Sequence, residues 1–181
     1  DVMPPELPPR SRLYHLPPIG VGTPHVESLT GYAARLATAH NVRLSVLVIH
    51  ELLPLLKPKY LIDEGRHLSP FWSGASQAVN GPRLTALEWT QGLERLTLRS
   101  ELQFLTLQPW AEVLAIRGLL RPIRAWCPAC YEEWRQAGQE IYEQLLWAMA
   151  SVQVCPRHRR VLSTRCPYPD CGRVLFLLGP K

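Results

Sequence analysis

Two short phrases, Cys127-Pro-Ala-Cys130 and Cys155-Pro-Arg-His158, restrict the fold of this chain more than any other feature. Each reads ligand, proline, any residue, ligand. Two donors separated by two residues can form a tight knuckle that presents both to one ion, and a tetrahedral zinc needs four such donors converging on a point. Proline directly after the first cysteine pre-sets the turn. Both phrases together predict one ion held by Cys127, Cys130, Cys155 and His158, with zinc as the metal. Because all four positions are protein ligands, none remains for water, and the ion is structural rather than catalytic. The 24 residues between the phrases exceed common zinc-ribbon spacings, so something must fold inside the loop. A stripe of Trp134, Ile141, Leu145, Met149 and Val152 predicts an amphipathic helix through residues 131–152.

Cysteine usage supports a metal over disulfides. Five cysteines cannot close into pairs, and paired Cys-x-x-Cys spacing in a reducing compartment points to metal. No apolar run approaches a membrane span, and residues 1–25 lack the form of a signal peptide, so a cytoplasmic location is expected. Cys166 and Cys171 begin what looks like a second half-site, too open for a standard knuckle and without a further Cys or His before Lys181. They read as free thiols, as a local disulfide, or as half a site completed from outside this chain.

Upstream, the pattern is helical. Seven prolines in the first 24 residues make residues 1–25 an extended arm, free to dock on the body or on a partner. Leu29, Tyr32, Ala33, Leu36 and Ala39 then follow helical spacing, Glu27 opens the helix at its positive end, and Asn41 stops it. Ser45 is placed to cap a second helix ending before Pro54 and Pro58. Ser69-Pro70 starts a third, short one. Asn80-Gly81-Pro82 is a turn before a helix with Leu84, Leu87, Leu93 and Leu96. A short helix through Leu102, Phe104 and Leu105 and one from Pro109 towards Leu114 follow. Residues 83–107 thus read as a helix-turn-helix-like pair. Its second member has one acid and no Lys or Arg, so it is built to pack rather than to read a major groove. The expected fold is mainly α. A proline-rich arm (1–25) leads to a helix-turn-helix-like domain (26–118) and a small zinc-finger domain (119–181), with any small strands flanking the metal.

Charge separates the same parts. Residues 1–116 hold ten Lys/Arg and ten Asp/Glu, whereas residues 117–181 hold ten and five. The excess centres on Arg157, Arg159, Arg160, Arg165 and Arg173, which are candidates for a sequence-neutral grip on DNA or RNA phosphates. A zinc deaminase, echoed by His25-Val26-Glu27 with the first cysteine pair, would leave Cys155 and His158 without a role and is set aside. Trp126, Trp134 and Trp147 read as the small core beside the metal. His15, His40, His50 and His67 lack paired spacing and read as non-ligands.

These residues together resemble the TniQ family of transposon target-selection proteins, which includes members with CRISPR guidance. The resemblance runs through Glu27-Ser28-Leu29-Thr30-Gly31-Tyr32-Ala33-Ala34-Arg35-Leu36-Ala37, Asn80-Gly81, Leu93-Glu94-Arg95-Leu96-Thr97 and Leu105-Thr106-Leu107. It continues through Trp126-Cys127-Pro128, Cys130, Trp147, Cys155-Pro156, His158, Leu162 and Cys166-Pro167. It implies a non-enzymatic adaptor in targeted, in the first reading RNA-guided, DNA transposition. Such an adaptor bridges a target-recognition complex and the transposon's AAA+ ATPase (TnsC). The recogniser would be a CRISPR effector with its guide RNA, or a DNA-binding targeting protein. The chain departs from the family in its incomplete second finger, and the long C-terminal extension by which some relatives bind a fixed DNA site is not expected of it. A zinc-containing, sequence-specific DNA-binding regulator is the alternative.

Overall fold

The structure is a computed structural model, and it describes residues 10–56 and 76–178. The helix expected from Ser69-Pro70, and His67, lie outside the described residues. Helices dominate the described residues; extended chain pairs only as isolated β-bridges, with no strand.

Helix α1 (Leu29–Ala39) is capped by Ser28, whose Oγ accepts from the Gly31 N–H at 3.1 Å. It ends as the sequence predicts. Asn41 takes a left-handed φ of 54°. The Val42 N–H then reaches the Ala37 carbonyl at 3.0 Å while the Asn41 N–H reaches Thr38, a left-handed cap that satisfies the last carbonyls. Glu27 differs from expectation. It precedes the cap and lies fully buried, paired with Arg35 at 2.8 Å, and it accepts from the Ile19 N–H at 3.2 Å. Burial pushes its carboxyl up, against the Arg35 pairing that pulls it down.

The second helical stretch begins at Leu44 after Arg43, so Ser45 is not its cap. α2 (Leu44–Leu47) widens into a π turn over Val48–Leu52 and tightens to 3-10 over Leu53–Leu55. Pro54 explains the change of pitch: it has no N–H to donate, and its ring crowds the carbonyl four residues back. Helix α3 (Leu84–Thr97) packs on this stretch at Gly92, where an added Cβ would lie 2.5 Å from Leu52 Cδ1. Beyond it the sequence overestimates helix. Leu102–Leu105 and Gln108–Trp110 are single 3-10 turns, and no helix runs on to Leu114. Leu102 and Leu105 are nonetheless fully buried, so the segment packs as expected without being an α-helix.

The arm docks on this body from Arg12 onward. Leu13 is buried and its N–H reaches the Leu96 carbonyl at 2.8 Å; Arg12 pairs with Glu51 and Tyr32 Oη donates to the Leu16 carbonyl. His40 accepts from the Tyr14 N–H and stacks on that ring, and His15 contacts the Thr97 carbonyl.

Helix α4 (Pro128–Gln136) is followed by a correction: residues 131–152 are not one helix. Gly138, at φ 62°, ends it with the Gln139 N–H on the Trp134 carbonyl at 2.8 Å, the same cap geometry as at Asn41 and one that glycine adopts without steric cost. The chain then runs extended to a 3-10 turn at Leu145–Ala148. Two cores result. One gathers α1, the α2 stretch, α3 and Leu102–Leu105; the other gathers Trp126, Trp134, Trp147 and Leu162 around three of the cysteines. A backbone seam joins them: Ser28 N–H to Glu143 at 2.7 Å, Leu145 N–H to Val26 at 2.8 Å, and Tyr142 Oη to the His25 carbonyl at 3.0 Å.

Candidate metal centre

The first knuckle is the N-terminus of α4. Cys127 occupies the cap, Pro128 the first helical position and Cys130 the third, so one turn carries both thiols. Proline is at home there, since its missing N–H would be unpaired in any case. The second knuckle is the tip of a hairpin, bridged at Val154 and Val161. Cys155 N–H reaches the Arg160 carbonyl and Arg159 N–H the Cys155 carbonyl, both at 2.8 Å. Arg159 turns the corner with a left-handed φ of 52°. The hairpin returns to the first knuckle through paired hydrogen bonds between Trp126 and Ser163 at 2.8 and 3.0 Å.

These two elements bring all four predicted donors within 4.8 Å of one another. His158 Nδ1 lies 3.5, 3.3 and 3.7 Å from the sulfurs of Cys127, Cys130 and Cys155, and Cys130 Sγ lies 3.8 Å from Cys155 Sγ. An ion bonded tetrahedrally to sulfur at roughly 2.3 Å and to nitrogen at roughly 2.0 Å would set about 3.8 Å between sulfurs and about 3.5 Å from sulfur to nitrogen. The donor set therefore fits a metal ion in chemistry and in spacing. The cysteines are buried, and His158 is half-buried. Burial pushes the Cys130 thiol up. For Cys155, burial also acts upward, but the backbone N–H groups of His158 and Arg157 and the His158 ring bring it down to about 7.

Around the donors lies an aromatic shell. Trp134 stacks on Tyr142 at 4.4 Å between ring centres and lies 5.9 Å from Tyr131 and 6.0 Å from Trp147. The three tryptophans form core, as read from the sequence. His25 is not among the donors; its Nδ1 sits 3.1 Å from Gln144 Oε1.

One residue escapes the sequence reading. Glu133 Oε1 lies 2.9 Å from His158 Nε2, and Glu133 Oε2 lies 2.8 Å from Arg157. Its hydrogen bond raises His158 from the ordinary histidine value, and the same contact lowers Glu133. The available signal was spacing: a helix beginning at Pro128 puts positions 130 and 133 on one face.

The five candidate phosphate-binding arginines are all exposed, but they are not equivalent. Arg157 is engaged by Glu133, and Arg165 donates to the Gly172 carbonyl at 3.2 Å. Arg159, Arg160 and Arg173 make no ion pair among the described residues. Two further cations of this region serve the fold: Arg121 donates to the carbonyls of Met149 and Val152, and Arg124 pairs with Glu143 at 2.8 Å. Cys166 and Cys171 face each other across a hairpin closed by Cys166 N–H on the Arg173 carbonyl at 2.8 Å. The Arg173 N–H and the Cys166 thiol hold the Cys171 thiol below its ordinary value. Among the described residues no third potential ligand gathers with them.

The chain matches the model of the TniQ family over residues 18–162, from the docked arm through the second knuckle. A search of curated protein sequences returned no match.

Proposed function

The chain belongs to the TniQ family, and from that premise we propose that it is a non-enzymatic adaptor in targeted DNA transposition, RNA-guided in the first reading. The family implies a role in transposition target selection. In the finer reading, the chain bridges a target-recognition complex and the transposon's AAA+ ATPase (TnsC). The observation that carries this is the extent of the match: it spans both cores and the seam between them, so the resemblance belongs to the whole two-part body and not to a metal motif alone. The recogniser is a CRISPR effector with its guide RNA, or a DNA-binding targeting protein in its place.

Zinc is the metal in this reading, held by Cys127, Cys130, Cys155 and His158. Three thiolates and one imidazole suit it by ligand softness and tetrahedral spacing. Its role is to fix the finger domain (119–181) against the helix-turn-helix-like domain (26–118). Arg159, Arg160 and Arg173 then meet phosphates without sequence preference. Rigid arginines give up little ordering entropy on binding and suit planar anions.

A sequence-specific regulator would need a recognition helix, and the segment over residues 101–107 is one 3-10 turn with its leucines buried. The test is simultaneous binding. Tagged chain should capture the ATPase and the recogniser together from the reconstituted system. Mutual competition for one surface overturns the bridge, and protection of a single defined duplex without the ATPase would establish the regulator instead.

A further inference from the structure

Glu133 stands between the metal centre and the basic face, one carboxylate oxygen on His158 Nε2 at 2.9 Å and the other on Arg157 at 2.8 Å. It projects from α4, the nine-residue helix whose start presents Cys127 and Cys130. One short element therefore supplies two donors and the group that grips a third. His158 Nδ1 faces three sulfurs. When that nitrogen gives its lone pair to an ion, the ring proton resides on Nε2 and donates to the Glu133 carboxylate.

We propose that Glu133 is a positioning residue of the metal centre, fixing the tautomer and ring plane of His158 while Arg157 holds the carboxylate in place. The proposal rests on the reading that the four donors bind a metal. His158 is the donor that most needs an anchor. The cysteines are at most 1% exposed and packed among aromatic rings, whereas the His158 side chain is 15% exposed. His158 also sits at the tip of a hairpin, beside a residue in the left-handed region, so packing fixes it least. Without a partner on Nε2 the imidazole can rotate and exchange tautomers, and each alternative takes Nδ1 out of the tetrahedron. Orienting partners of this kind are worth roughly 10- to 100-fold in metal affinity.

The test uses the full chain loaded with one equivalent of Zn(II) and a competing chromogenic chelator. Glu133→Ala is expected to weaken zinc binding roughly 10- to 100-fold. Glu133→Gln keeps an acceptor oxygen and is expected between Ala and wild type. Arg157→Ala removes the brace on the carboxylate but leaves the His–Glu bond, and is expected to weaken zinc binding by no more than about fivefold, less than Glu133→Ala. Substituted Co(II) gives a readout that a general loss of stability would not produce. At saturating cobalt the wild type should show the absorption of a three-sulfur, one-nitrogen tetrahedral site, and Glu133→Ala a shifted, weaker spectrum, with Gln restoring it. A third measurement needs no variant: nitrogen-15 spectra of the zinc-loaded wild type should place a slowly exchanging proton on His158 Nε2. Equal zinc affinity in wild type and Glu133→Ala, or a proton on Nδ1, overturns the proposal. Failure of the wild type to bind zinc overturns the metal reading itself, a result distinct from equal binding by both proteins.

Discussion

Replacing Cys155 by Ser should cost the protein its metal and the order of its second core while leaving the first core folded but weakened. Cys155 is buried and within 3.8 Å of two other donors, so its loss leaves a three-donor site facing a hydroxyl that binds zinc poorly. Structural zinc supplies about 10–16 kcal/mol to small modules, more than the aromatic cluster of Trp126, Trp134 and Trp147 can replace. The first core does not contain the donors. It would lose the seam: Ser28 to Glu143, Val26 to Leu145 and His25 to Tyr142. At about 1 kcal/mol net for each of these three hydrogen bonds, the helical part loses about 3 kcal/mol. With 1 kcal/mol moving Tm by about 4–8 °C in a domain of 60–100 residues, its melting should fall by about 12–24 °C. Elemental analysis gives the metal content, and amide hydrogen exchange resolves the two parts. Protection should vanish over residues 125–163 and persist in α1 and α3. Persistent protection over 125–163 without metal would refute the structural role. Simultaneous loss in α1 and α3 at ordinary temperature would refute the separation of the cores.

Glu27→Ala strands Arg35, whose side chain is 10% exposed; breaking a buried pair costs about 3–5 kcal/mol, and the bond from Arg35 to the Pro17 carbonyl places the loss near the lower end in a denaturant melt. Gly92→Ala gains helix propensity of about 1 kcal/mol but drives a Cβ to 2.5 Å from the buried Leu52; overpacking of about 1–3 kcal/mol leaves a net destabilisation between about zero and 2 kcal/mol, and a raised denaturation midpoint would contradict the packing. Replacing Arg159, Arg160 and Arg173 together by Ala should weaken binding to all duplex sequences alike and reduce the log–log salt slope by about 0.9 for each phosphate no longer neutralised. An unchanged slope would return them to the solvated surface. At saturating zinc, Glu133→Ala should strengthen nucleic-acid binding, because it removes the acid that engages Arg157; filter binding at fixed salt decides the sign.

What the sequence revealed and what it hid divide along chain separation. The knuckles are local: two donors and a proline within four residues, so the turn and its donors are readable before any fold is known. The same holds for Asn41, whose side chain tolerates the left-handed conformation that stops α1, and for the period of α3. Gly138 was equally local and shows how one signal can mask another. The apolar stripe from Trp134 to Val152 has helical spacing, yet Trp134 lies in a helix, Ile141 in an extended run, Leu145 in a 3-10 turn, and Met149 and Val152 beyond it. Periodicity proposes a shared face, but only Trp134 and Leu145 of this stripe are buried and Ile141 is exposed, so the spacing did not report one packed surface. The roles of Glu27 and Glu133 were of another kind. A carboxylate near the start of a helix has a sufficient local explanation in the helix dipole, and that explanation failed at Glu27 because its carboxylate is taken by Arg35 and by the Ile19 N–H. Glu133 met its imidazole only after 24 intervening residues had brought two knuckles together. The donors of a metal site must be spelled out in the chain, whereas the residues that aim them are chosen by the fold, and helical spacing marks no more than the face on which they stand.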